Sequence, residues 1–172
     1  AALAQGCKQL EHLQIRGWHP RSQPEFTHEG VVAIARSCRL LKTLALTPSC
    51  RIEDPALVAL GQHCPLLRLL RGSHWERITD AAVAALAHGC PQLEVVELPF
   101  AARLTDASAS ALVQGCPNPK HVNLLQTGVT AAGVLTLAQH AKQKLTIDTC
   151  CMLDSEARAL EEEYPVQLIT HG

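Results

Sequence analysis

Eight cysteines and nine histidines in a chain of 172 residues are a large stock of metal ligands and nucleophiles. Their spacing decides which chemistry is open to them. A zinc site draws on closely paired Cys or His, and a catalytic thiol needs an adjacent base or an electropositive cleft. Cys150 and Cys151 are adjacent rather than spaced for zinc, and His63, His88 and His140 fall in separate stretches. Phosphate-loop, GxSxG and HExxH patterns are missing. The reading is therefore no metal, no cofactor and no catalytic residue: not an enzyme. What the cysteines do show is a period. Cys38, Cys64, Cys90 and Cys116 follow one another at intervals of 26, and Cys7 stands 31 residues before Cys38.

A fixed period in this range marks a solenoid. The flanks repeat with it: "AALAQGC" ends at Cys7, "AIARSC" at Cys38, "ALGQHC" at Cys64, "ALAHGC" at Cys90 and "ALVQGC" at Cys116. Apolar residues return three, six and eight positions after the cysteine, as Leu10, Leu13 and Ile15, as Leu41, Leu44 and Leu46, and as Leu93, Val96 and Leu98. The alternation predicts a short strand with one buried face. "IED" at Ile52, "ITD" at Ile78 and "LTD" at Leu104 come next, and the Thr-Asp pair predicts a helix start, with Asp54 as the cap before Pro55. Gly6, Gly89 and Gly115 sit where a left-handed helix-ending residue is wanted. Each cysteine then occupies the same helix-to-strand corner. Stacked corners predict a buried row of reduced thiols, Cys7, Cys38, Cys64, Cys90 and Cys116, acting as small hydrophobes in the core. A whole row cannot pair into disulfides, which points to a reducing, intracellular compartment, cytoplasmic or nuclear, with an organelle or cilium as alternatives.

These residues resemble the cysteine-containing class of leucine-rich repeats, Cys-x-x-Leu-x-x-Leu-x-Leu followed by Ile-Thr-Asp and a helix. The resemblance runs from Ala1 to about Pro165. It implies an α/β leucine-rich-repeat solenoid, with a curved parallel sheet on the concave side and helices on the convex side. The expected organisation is one domain over residues 1–172, of about six repeats of 25–31 residues. The opening "AALAQGC" reads as the end of a helix, so a C-terminal fragment of a longer protein is expected. The class is best known from F-box proteins, where it resembles the substrate-receiving half of cullin-based ubiquitin ligases. The resemblance thus implies a non-catalytic protein-interaction module, the substrate-recognition repeats of an F-box-like receptor. The alternative is a structural or scaffold subunit of a large assembly, such as a ciliary or organellar complex. No F-box is recognisable within the 172 residues, and one upstream would decide between the two.

The repeat has irregularities. "GWHPRSQPEF" (Gly17–Phe26) lengthens the first unit, Gly72 takes the place of a core Leu, and Pro119 stands at a strand start. "VQLIT" near the end predicts a last edge strand. Concave positions fall five, seven and nine residues after each cysteine, and these include Leu69, Arg71, Val95, Glu97, His121 and Asn123. Arg71 and Glu97 share an offset in neighbouring repeats, so they are expected to pair. Trp18 and Trp75 both lie eleven residues after a repeat cysteine, with Phe100 at the preceding offset. Two readings stand for these rings: they plug the loop layer, or they form an aromatic patch beside the concave face, with Trp75 as the hot spot. The partner-binding set is therefore Trp18, Leu69, Arg71, Trp75, Val95, Glu97, Phe100, His121 and Asn123. The strip is mixed in polarity and the net charge is −1, which suits a protein partner and excludes nucleic acid. A small-molecule substrate is not expected, nor is membrane insertion, since no apolar run reaches the length of a span.

Overall fold

The computed structural model describes residues 7–15, 27–46 and 51–171. Among these residues, seven strands form one parallel sheet in sequence order: β1 (His12–Ile15), β2 (Thr43–Leu46), β3 (Leu69–Gly72), β4 (Val95–Glu97), β5 (His121–Asn123), β6 (Leu145–Thr149) and β7 (Val166–Thr170). Among the described residues, six helices of ten residues each alternate with them: α1 (His28–Ser37), α2 (Asp54–His63), α3 (Asp80–Gly89), α4 (Asp106–Gly115), α5 (Ala131–His140) and α6 (Asp154–Glu163). Helices α1 to α5 pack on their sequence neighbours as the strands do. This is the α/β solenoid that the period predicts.

Strand alternation sends one residue in two to the core. Leu44, Leu70, Val96, Val122 and Ile147 are buried and stand in one register row. They meet the apolar stripes of the helices, such as Leu57 and Leu60 of α2 and Val83 and Leu86 of α3. "VQLIT" is β7, the edge beyond β6.

The cysteine row lies where its phase puts it. Cys38, Cys64 and Cys90 are fully buried and Cys116 is 3% exposed. Each caps the C-terminus of its helix, with its N–H on the carbonyl four residues back. The thiols also reach carbonyls of the preceding repeat: Cys38 Sγ donates to Cys7 O (3.1 Å) and Cys90 Sγ to Cys64 O (3.3 Å). The row is therefore a hydrogen-bonded spine as well as an apolar one. Cys7 departs from the expected core role. It is half-buried, and its carbonyl accepts from the Cys38 thiol of the following repeat.

Two local readings are corrected. Asp54 is not the cap; Glu53 holds that place, and Asp54 is the first residue of α2. Its carboxylate instead accepts from Thr79 N (2.8 Å) and Thr79 Oγ1 (2.7 Å) in the next repeat. Asp80 does the same with Thr105 (2.9 and 2.7 Å), and Asp106 with Thr130 (2.7 Å twice). The Thr-Asp pair is thus a staple between repeats as much as a helix start. Burial works against the Asp80 carboxylate, but hydrogen bonds from Ser108 and Thr105 outweigh it and hold the carboxyl below its usual range.

The glycines are the second correction. Among the described residues no glycine has positive φ, so Gly89 and Gly115 are not left-handed helix ends; Gly6 lies outside the described residues. They are sites of helix-to-helix approach. A Cβ on Gly89 would lie 1.9 Å from Gly61 O, and one on Gly115 would lie 2.4 Å from the Ala87 carbonyl carbon. Backbone cannot give way as a flexible side chain does. Helix propensity alone favours Gly89→Ala by up to about 1 kcal/mol. The clash predicts the opposite sign, a loss of about 2–3 kcal/mol. Urea melts of Gly89→Ala decide: a variant as stable as the parent would refute the close approach.

Candidate protein-interaction face

The concave side of the sheet collects the residues left over by the core. Register places Leu69, Val95, His121 and Thr146 in one row across β3–β6, and Arg71, Glu97, Asn123 and Asp148 in the next. Six of the predicted site residues, Leu69, Arg71, Val95, Glu97, His121 and Asn123, are therefore neighbours on one face. Leu69, Val95, His121 and Asn123 are half-buried.

The second row is a chain of polar contacts. Arg71 Nε donates to Glu97 Oε2 (2.5 Å) and Arg71 Nη2 to Glu97 Oε1 (2.6 Å), the two-pronged pairing that a guanidinium makes with a carboxylate. The hydrogen bond to Glu97 raises the Arg71 pKa against a smaller desolvation effect. His121 Nδ1 stands 3.7 Å from Glu97 Oε1, and His121 Nε2 stands 3.2 Å from Asp148 Oδ2. Asn123 Nδ2 donates to Asp148 Oδ2 at 2.7 Å, and Asn123 Oδ1 accepts from Leu125 N at 3.1 Å. Strand-borne side chains held in this way keep one geometry, which is what a recognition surface needs.

Asp148 was missed by the cysteine-offset reading. That reading counts from the cysteine, and Ala141 caps α5 where α1 to α4 have Cys. Counting from the strand pairing instead of from the thiol would have found it.

The rim beyond the strands carries a second regularity. His74, Phe100 and Gln126 share one offset and all adopt the left-handed region, with φ of 60, 62 and 55°. A non-glycine residue there costs about 1 kcal/mol or more. Each N–H reaches across to the next repeat, to Pro99 O (3.1 Å), Leu125 O (2.8 Å) and Cys150 Sγ (3.4 Å). The His74 and Phe100 rings stack at 4.4 Å, 3° from parallel, with Phe100 38% exposed. Phe100 is thus an exposed ring stacked on its neighbour in the preceding repeat.

Trp75 is 1% exposed and belongs to the core, so the hot-spot assignment is overturned. The cause is Gly72, the position where the repeat expects Leu. A Cβ on Gly72 would lie 2.2 to 2.5 Å from three indole atoms of Trp75, so the ring occupies the volume that a leucine would fill. Trp75 is the plug of the other reading. Its Nε1 is buried without an acceptor among the described residues. Trp18 lies outside the described residues.

The histidines near helix ends serve the backbone: His88 Nδ1 is 2.8 Å from Ala84 O, and His140 Nδ1 is 2.9 Å from Thr136 O. Among the described residues no group of three or more His, Cys, Asp or Glu is arranged to hold a metal, and no helix is long and apolar enough to cross a membrane.

No family model matches the chain. No curated protein matches it in sequence. In fold, it is similar to a chain in the crystal structure of the Rad7 and Elc1 complex in yeast, with a TM-score of 0.70 at 19% sequence identity. The match covers 83% of this chain and 39% of that one, so this chain spans well under half of its neighbour's length. The likeness is one of fold: repeated strand-helix units stacked into a solenoid.

Proposed function

We propose that the chain is a non-catalytic protein-recognition module that binds its partner on the concave face. The observation that carries this is the register of the strip. Half-buried Leu69 and Val95 stand beside the fixed Arg71–Glu97 pair on the two adjacent strands β3 and β4, a rigid surface that is part apolar and part polar. Solenoids use such surfaces for extended contacts, and interface cores favour apolar anchors with oriented polar groups around them. Arg71, Val95, Glu97, Leu69, His121, Asn123 and the rim ring Phe100 are the proposed contact residues. The fold likeness to a chain crystallised in a protein complex agrees with a protein partner. The more specific role is the substrate-receiving repeat domain of an F-box-like ubiquitin ligase receptor, which the repeat resemblance supports.

The test is a pull-down with the full-length protein. Arg71→Ala/Glu97→Ala removes both partners of the pair together, so neither charge is left unmatched and the fold is expected to survive. Phe100→Ala removes the rim ring. Leu135, 36% exposed on α5, supplies the convex control as Leu135→Ala. The expected result is tenfold or greater loss of the partner with the concave variants and retention with the control. Loss confined to the Leu135 variant would move the binding surface to the helices.

A further inference from the structure

The charges on the concave positions of β3–β6 do not balance. Arg71 is the cation; Glu97 and Asp148 are the anions. Arg71 engages both oxygens of Glu97. Asp148 receives only an amide and an imidazole, both on Oδ2, from Asn123 and His121. Its Oδ1 is buried and has no donor among the described residues, although the residue is only 8% exposed. A carboxylate shielded from water with one oxygen unmatched is costly, and a cation brought close to it is worth far more than in solvent. The strand alternation fixes the direction from which that cation comes. Leu145, Ile147 and Thr149 face the core, so Asp148 faces the concave side with Thr146. Exposed Ile169 of β7 stands beside it in register, and Leu125 is half-buried after β5.

From this we infer that the concave face takes a partner segment carrying one basic side chain, lysine or arginine, seated over Asp148 and His121, with an apolar neighbour toward Ile169. The inference rests on the concave reading above and names the chemistry of its partner. The field also gives the segment a direction. The matched Arg71–Glu97 pair begins on β3 and the unmatched Asp148 lies on β6, about 14 Å from β3 by strand spacing, or roughly four residues of extended chain. A segment with its basic residue over β3 would meet Arg71 instead.

A random peptide library displayed on phage, panned on the protein, provides the probe. Binders are resynthesised with arginine replaced by citrulline or lysine by acetyl-lysine, and measured on the parent, Asp148→Asn and Val95→Glu. The expected binders fail on Val95→Glu, carry a basic residue, and weaken at least tenfold on neutralisation of that residue. They weaken equally on Asp148→Asn, and there the citrulline or acetyl-lysine change costs nothing further. If Asp148→Asn does not fold, the neutralised peptides on the parent protein decide alone. Binders that need Val95 but tolerate loss of their basic charge overturn this inference and leave the concave reading intact. Binders indifferent to Val95, or a library that yields none, overturn both.

Discussion

Trp75→Ala costs about 3–5 kcal/mol of folding stability, the range for deleting a large buried aromatic side chain. The indole is 1% exposed and lies over Gly72, with three ring atoms 2.2 to 2.5 Å from where a Cβ would stand. Truncation leaves a void against a residue that has no side chain with which to fill it. The loss is expected near the top of the range. Gly72→Leu alone is also destabilising, because the leucine would overlap the ring. The two changes together restore the repeat's usual arrangement, a leucine on the strand and a small residue in the loop. The double variant should therefore be more stable than the sum of the single losses predicts, by at least about 1 kcal/mol. Strictly additive losses in denaturant melts would show that the two positions do not share a volume. Trp75→Phe is expected to cost much less than Trp75→Ala, since it keeps most of the volume and removes a buried N–H that has no acceptor among the described residues.

This pair also shows what a single sequence reveals and what it hides. The cysteine phase, the strand positions and the face shared by Leu69, Arg71, Val95, Glu97, His121 and Asn123 are all legible, because they repeat: each copy votes for the same geometry. The features that escape are compensations between repeats. Gly72 read alone is a thin spot and Trp75 read alone is an oversized ring; only their contact explains either. Gly89 looks like a helix terminator because glycine serves that role in isolated helices, whereas here the neighbouring helix backbone at Gly61 imposes it. Asp54, Asp80 and Asp106 look like local caps, yet their carboxylates bond threonines 24 or 25 residues on. Asp148 is lost to the reading because its repeat lacks the cysteine from which the offsets are counted.

The cysteine row makes the protein sensitive to alkali. Burial, which disfavours the charged thiolate, pushes Cys64 from 9.0 up to about 11 and Cys90 and Cys116 up to about 12. Neighbouring cysteines add to the rise at Cys64 and Cys90. Below pH 9 these thiols hold their protons in the folded and unfolded chain alike, and their contribution to stability is complete. Above pH 9 the unfolded chain releases protons that the folded one retains. Stability therefore falls as pH rises, until the folded thiols themselves ionise at about 11 to 12. Each retained proton contributes a slope approaching about 1.4 kcal/mol per pH unit, so three thiols give about 4. Urea melts in the presence of reductant between pH 9.5 and 10.5 should show stability falling with pH. Cys90→Ala removes one linked proton and should reduce the slope by about a third. It also lowers stability at pH 7 by about 1 kcal/mol, through the lost thiol volume and its bond to Cys64 O. The two effects carry opposite signs above pH 10, where the variant overtakes the parent. A parent protein whose stability is level from pH 9 to 10.5 would mean that the thiols ionise freely in the folded state, and the buried row would have to be abandoned.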